Sequence, residues 1–88
     1  MAEDLLVLED DAGFAEMLSE SLGEAGYSTR VVLDPEEALR IAEDERFRLV
    51  ISDYLMPKLE GTRFIERIRR IHPAVPVIMI SAYMGAPE

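Results

Sequence analysis

The 88-residue sequence has no cysteine, which excludes disulfides and thiolate metal sites. Its first residues, Met1-Ala2-Glu3-Asp4, are acidic, the reverse of a secretory leader's basic start, and together these features favour a cytoplasmic location. No apolar run approaches the length of a membrane span. Positive charge is scarce: nine basic residues face eighteen acidic ones, for a net charge of −9. That balance disfavours nonspecific attraction to nucleic acid or to anionic lipid, so neither is expected as a direct partner. The one local excess of positive charge is Arg63, Arg67 and Arg70 at helical spacing, with Arg69 beside them; it reads as a solvated helix face. The single histidine, His72, precedes Pro73 and reads as a surface residue, since a lone imidazole makes no metal site. A glycine-rich phosphate loop is also missing after the first apolar run, where Glu9-Asp10-Asp11 stands instead. Dinucleotide and P-loop sites are therefore disfavoured.

What is present fits one folded domain spanning residues 1–88, with 49% hydrophobic and 31% charged residues and room for one modest core. Leu5 to Leu8 is a short apolar run of the kind buried on both faces of a sheet. From about Ala12 to Ala25, Phe14, Met17, Leu18, Leu22 and Ala25 recur every three or four positions, predicting a helix with that inner face, and Gly26 is its stop. Tyr27 to Leu33 predicts a weaker, edge strand. Asp34-Pro35-Glu36-Glu37 announces a second helix, to about Glu45, through an N-cap, a proline at the first helical position and an acid at the third. Leu49 to Ser52 predicts a third strand ending at Asp53. Thr62 can cap a third helix with Phe64, Ile65, Ile68 and Ile71 inward, ended by His72-Pro73. Pro76 to Ile80 predicts a fourth buried strand. Alternating strands and helices of this length give an open parallel α/β sheet with right-handed crossovers.

In such sheets ligands bind beyond the carboxyl ends of the strands. Glu9, Asp10, Asp53 and Ser81 all fall at such ends. If the first and third strands are neighbours, their carboxylates meet, and crowded carboxylates suit a divalent cation or chemistry. Mg2+ takes one or two carboxylates and a phosphate, which Asp10 and Asp53 could serve. An aspartate beside such a cation can also be a nucleophile toward phosphorus, and the Ser81 hydroxyl could donate to a phosphoryl oxygen. Taken singly, Asp53 reads as a turn or cap residue and Ser81 as a loop hydroxyl; the combination carries the functional reading.

The series Leu5-Leu6-Val7-Leu8-Glu9-Asp10-Asp11, Leu22-Gly23-Glu24-Ala25-Gly26-Tyr27, Asp34-Pro35-Glu36-Glu37-Ala38-Leu39, Leu49-Val50-Ile51-Ser52-Asp53-Tyr54-Leu55-Met56-Pro57 and Pro76-Val77-Ile78-Met79-Ile80-Ser81-Ala82 resembles the receiver domains of two-component response regulators, in register over the whole chain. The resemblance implies a flavodoxin-like fold with strand order 2-1-3-4 and transfer of a phosphoryl group from a sensor histidine kinase to one aspartate. It implies Asp53 as phosphoacceptor, Asp10 as a direct Mg2+ ligand with Glu9 acting through water, the Leu55 backbone carbonyl as a further ligand, and Ser81 as the switch hydroxyl with Ala82 leaving room beside it. Such a module is a signalling phosphoacceptor rather than an enzyme, with at most weak self-phosphorylation and autodephosphorylation.

Against the family pattern, Lys58-Leu59-Glu60 replaces the usual Gly-Met-Asp, and the 88 residues hold no match for the fourth helix, fifth strand and fifth helix. The only lysine, Lys58, cannot be the strand-five lysine, and Tyr83 does not match the aromatic switch position. Two expectations follow: phosphotransfer to Asp53 is impaired, and the bare edge of the fourth strand, Val77 to Ile80, draws the chain into a homodimer. The alternative is a receiver that acts only as a self-associating interaction module. A metal-dependent phosphatase of the haloacid dehalogenase type fits poorly, because Leu55 stands where its second acid belongs.

Overall fold

The computed structural model describes residues 4–53 and 61–80. Within them the order is β1 (Leu5–Leu8), α1 (Ala12–Glu24), β2 (Thr29–Val32), α2 (Pro35–Asp44), β3 (Leu49–Asp53), α3 (Gly61–Ile71) and β4 (Val77–Ile80). The four strands form one parallel sheet ordered β2-β1-β3-β4. Among the described residues no helix is long and apolar enough to cross a membrane.

Side-chain alternation divides the sheet into two faces. Leu6, Leu8 and Val50 point into a core with Ala38 and Leu39 of α2 and Phe64 and Ile68 of α3. Leu5, Val7 and Ile51 are buried on the opposite face, the side of α1, which packs against β2. Phe64 is fully buried, and a side chain of that size contributes roughly 1.5–3 kcal/mol through removal from water. All four β1 residues are buried, as their continuous apolar run requires.

The start of α2 follows its sequence signal closely. Asp34 has extended backbone and its carboxylate accepts the Glu37 amide at 3.0 Å, with Pro35 opening the helix. Gly26 takes φ +100° after α1, a conformation that costs a residue without Cβ little and explains why the helix stops there.

Other expectations need correction. In α1 only Ala15 is buried, while Met17 is 53% exposed and Ala25 is also exposed. Among the described residues α1 packs mainly against β2, the edge strand, and the small Ala15 is its one buried residue. β2 is shorter than Tyr27 to Leu33, both of which are exposed. α3 already begins at Gly61, which places Thr62 inside its first turn rather than at its cap. β4 is not a buried strand: none of its residues is fully buried, and Ile78 is 49% exposed, because β3 is its one sheet neighbour among the described residues.

His72 is more than a surface residue. It is half-buried, and its Nε2 lies 2.6 Å from the Ala42 carbonyl in the last turn of α2, where the helix leaves carbonyls without intrahelical donors. The imidazole donates there and so ties the end of α3 to the end of α2.

Candidate metal and phosphoryl site

Parallel pairing sets the register that builds the site. Leu8 is level with Ser52 across β1 and β3, so the next residues, Glu9 and Asp53, emerge side by side at the carboxyl edge. Glu9 remains attached to the sheet through its amide, which donates to the Val32 carbonyl at 3.1 Å. Asp10 follows on the rim and is exposed, whereas Glu9 is fully buried and Asp53 is 5% exposed. One oxygen from each of Glu9, Asp10 and Asp53 lies within 4.8 Å of the others. The structure thus brings together three of the carboxylates named from the sequence.

The fourth acid in the neighbourhood has another task. Asp11 is the N-cap of α1: its Oδ1 accepts the Phe14 amide at 3.1 Å, and its own amide donates to Glu9 Oε2 at 3.0 Å. Asp11 therefore starts the helix and orients Glu9. The sequence run Glu9-Asp10-Asp11 does not distinguish these roles; the clue is Phe14, three residues beyond a capping acid at the start of an apolar helical pattern.

Glu9 is the electrostatic focus of the cluster. Its Oε1 is buried with no hydrogen-bond partner among the described residues. Burial pushes its carboxyl up from the usual 4.5 to about 7; the Asp11 amide works against this, while the charge of Asp53, a hydrogen bond to Asp53 and the charge of Asp10 reinforce it. Crowding by Asp53 and Asp10 thus adds to the effect of burial in disfavouring the charged form of Glu9. Ser52, buried behind them, donates its hydroxyl to the Asp53 carbonyl at 3.1 Å. Ser52 was not singled out in the sequence, where it reads only as a polar interruption of an apolar strand.

An orphaned buried oxygen next to two further carboxylates gives a cluster with the oxygen donors that a metal ion could use. Leu55, Lys58, Ser81, Ala82 and Tyr83 lie outside the described residues.

Comparison with known proteins agrees with this geometry. The family model described as the response regulator receiver domain matches residues 5–87. The response regulator protein FleR of Pseudomonas aeruginosa is 39% identical over 83 residues, covering 94% of this chain and 18% of FleR. The structure of chemotaxis protein CheY4 of Vibrio cholerae superposes with a TM-score of 0.81 at 32% identity, covering 85% of this chain and 64% of that one. A CheY-like receiver domain protein from Methanospirillum hungatei gives a TM-score of 0.85 at 27% identity, covering 92% and 65%. The chain belongs to the receiver domain family of two-component response regulators, a family of signalling modules, and its fold is flavodoxin-like. It spans between 18% and 40% of the length of the curated relatives compared.

Proposed function

We propose that Asp53 accepts a phosphoryl group from a phosphohistidine of a sensor histidine kinase, in the cytoplasm, as the input step of two-component signalling. An Asp53 carboxylate oxygen attacks phosphorus, the P–N bond breaks, and the imidazole nitrogen keeps the electron pair and takes up a proton. Glu9, Asp10, Asp53 and the Leu55 carbonyl would hold Mg2+, which when bound supplies positive charge beside the phosphoryl oxygens. The Ser81 hydroxyl is the proposed donor to one of those oxygens. The observation that carries this reading is the convergence of Glu9, Asp10 and Asp53 at one strand edge, with two of the three buried.

A polypeptide of these 88 residues has Lys58 as its one lysine. Without a strand-five ammonium to meet the phosphoryl group, we expect phosphotransfer to lose ~2–4 kcal/mol of transition-state stabilisation, tens to hundreds of fold in rate. Incubation with acetyl phosphate and Mg2+, followed by mass mapping of peptides, tests the assignment. Slow labelling confined to Asp53 and absent from Asp53→Asn is expected; labelling that persists in that variant overturns it.

The exposed Ile78 on β4 supports a second reading, in which the polypeptide self-associates through that strand and serves as an interaction module. In that reading the module does not accept a phosphoryl group, and the labelling of Asp53 tells the two apart. The net charge of −9 supports a role without direct nucleic-acid or membrane contact.

A further inference from the structure

At the opposite pole of the sheet, where β3 and β4 begin, a cleft of about 310 Å³ is lined by Arg46, Phe47 and Arg48 on one side and by His72 to Pro76 on the other. Asp53 lies five residues along β3 from Arg48, roughly 16 Å at the rise of a strand, so the cleft is separate from the acidic cluster.

Three features make this cleft a built site. Its charge runs against that of the molecule: among eight lining residues two are arginines and none is acidic, in a chain of net charge −9. Arg46 makes no hydrogen bond or ion pair with any described residue, and the Arg48 side chain is 78% exposed, 3.9 Å from Asp4 at its nearest carboxylate oxygen. The cations thus remain largely open to a ligand. The cleft also has an exposed apolar surface, from Pro73, Ala74 and Pro76, over a floor of the buried Phe47 and Val75.

Its second wall is held in place before any ligand arrives. The Val75 amide donates to the His72 carbonyl at 3.2 Å, and the Pro76 carbonyl accepts the Val50 amide at 3.0 Å. Arg69 Nη1 donates to the Val75 carbonyl at 3.0 Å and to the Pro73 carbonyl at 3.4 Å. His72 is anchored to Ala42, so its ring serves as wall and the charge comes from Arg46 and Arg48. A wall ordered beforehand lowers the entropic cost of binding.

We propose that this cleft docks a short acidic peptide segment carrying an apolar side chain, with carboxylates meeting Arg46 and Arg48 and the apolar group resting on Pro73, Ala74 and Pro76. A long polyanion is disfavoured, because the net negative charge repels it away from the cleft. A short peptide places its charge only where the arginines are. The docking is independent of phosphoryl transfer to Asp53.

The test is an NMR titration of the 88-residue polypeptide with the acetylated peptide EDLED at low salt. We expect amide shifts confined to Arg46–Arg48 and His72–Val77, and binding weakened about tenfold by Arg46→Glu together with Arg48→Glu. Arg46→Gln with Arg48→Gln, checked for native circular dichroism, should weaken it several-fold, and replacing the peptide's leucine by serine should weaken it too. Shifts located elsewhere, binding unchanged in the glutamine variant, or equal binding of a short oligothymidylate at these residues would overturn the proposal.

Discussion

Glu9 and Asp53 are buried side by side at the carboxyl edge of neighbouring strands, Glu9 fully and Asp53 at 5% exposure, with the exposed Asp10 completing a group whose oxygens lie within 4.8 Å. Such a pair is costly to ionise twice. Protonation of Glu9 relieves that cost, and so does a cation, so the stability of the fold depends on both.

The first prediction concerns pH. The folded-state pKa of Glu9 is raised to about 7 from 4.5, so the folded protein holds its proton more tightly than the unfolded chain. The associated stability is fully present below about pH 4.5 and is lost as pH rises through 7; a shift of this size corresponds to up to about 3 kcal/mol. Urea unfolding without divalent cations should show stability falling from about pH 5 to pH 8. Glu9→Gln should flatten that slope, and a slope unchanged in this variant would remove Glu9 as its source.

Asp10 and Asp53 should separate in their effects. Asp10 is on the exposed rim, so Asp10→Asn should change cation-free stability by no more than about 0.5 kcal/mol. It should still weaken Mg2+ affinity about tenfold, because a carboxylate ligand is lost. Asp53→Asn removes a buried like charge from Glu9 and should raise cation-free stability near pH 8 while also weakening Mg2+. Calorimetric titration beside urea unfolding resolves the two.

Two hydrogen bonds at the ends of α2 give further outcomes. Asp34→Ala removes the acceptor of the Glu37 amide and should cost ~0.5–2 kcal/mol. His72→Phe keeps an aromatic ring but loses the donor to Ala42, and should cost ~1 kcal/mol. Equal stability of His72→Phe and the parent would mean that the contact contributes only packing.

Self-association is the fourth prediction. Ile78 is level with Ile51 in the sheet and half-exposed, so its apolar surface lies beside an unpaired strand edge among the described residues. The 88-residue polypeptide should dimerise at micromolar concentration in light scattering, and Ile78→Lys should return it to monomer. A monomeric parent would sink this reading.

Much of this could be read in the residues, for physical reasons that also mark where reading fails. β1 and β3 are buried on both faces, and such strands declare themselves as unbroken apolar runs; the acids that end them then fall into register through parallel pairing alone. The Asp34-Pro35 start of α2 is equally local, since one side chain caps one amide. Non-local choices were not legible. Whether Met17 or Ala15 faces the sheet depends on how closely α1 approaches, and Ile78 owes its exposure to which strands neighbour β4. Nor does sequence tell Asp11 the cap from Asp10 the candidate ligand, or reveal that His72 reaches the Ala42 carbonyl thirty residues away. The raised pKa of Glu9 is a property of the assembled cluster and of no residue by itself.

We propose that Asp53, with Glu9 and Asp10, forms a pocket for a divalent cation and a phosphoryl group. Titration with Mg2+ and beryllofluoride, a phosphoryl mimic, followed by amide chemical shifts, tests it most directly. The expected shifts centre on Glu9 to Asp11 and Ser52 to Asp53, require both components and vanish in Asp53→Asn. The same shifts in that variant, or shifts centred away from the carboxyl edge of β1 and β3, would contradict it.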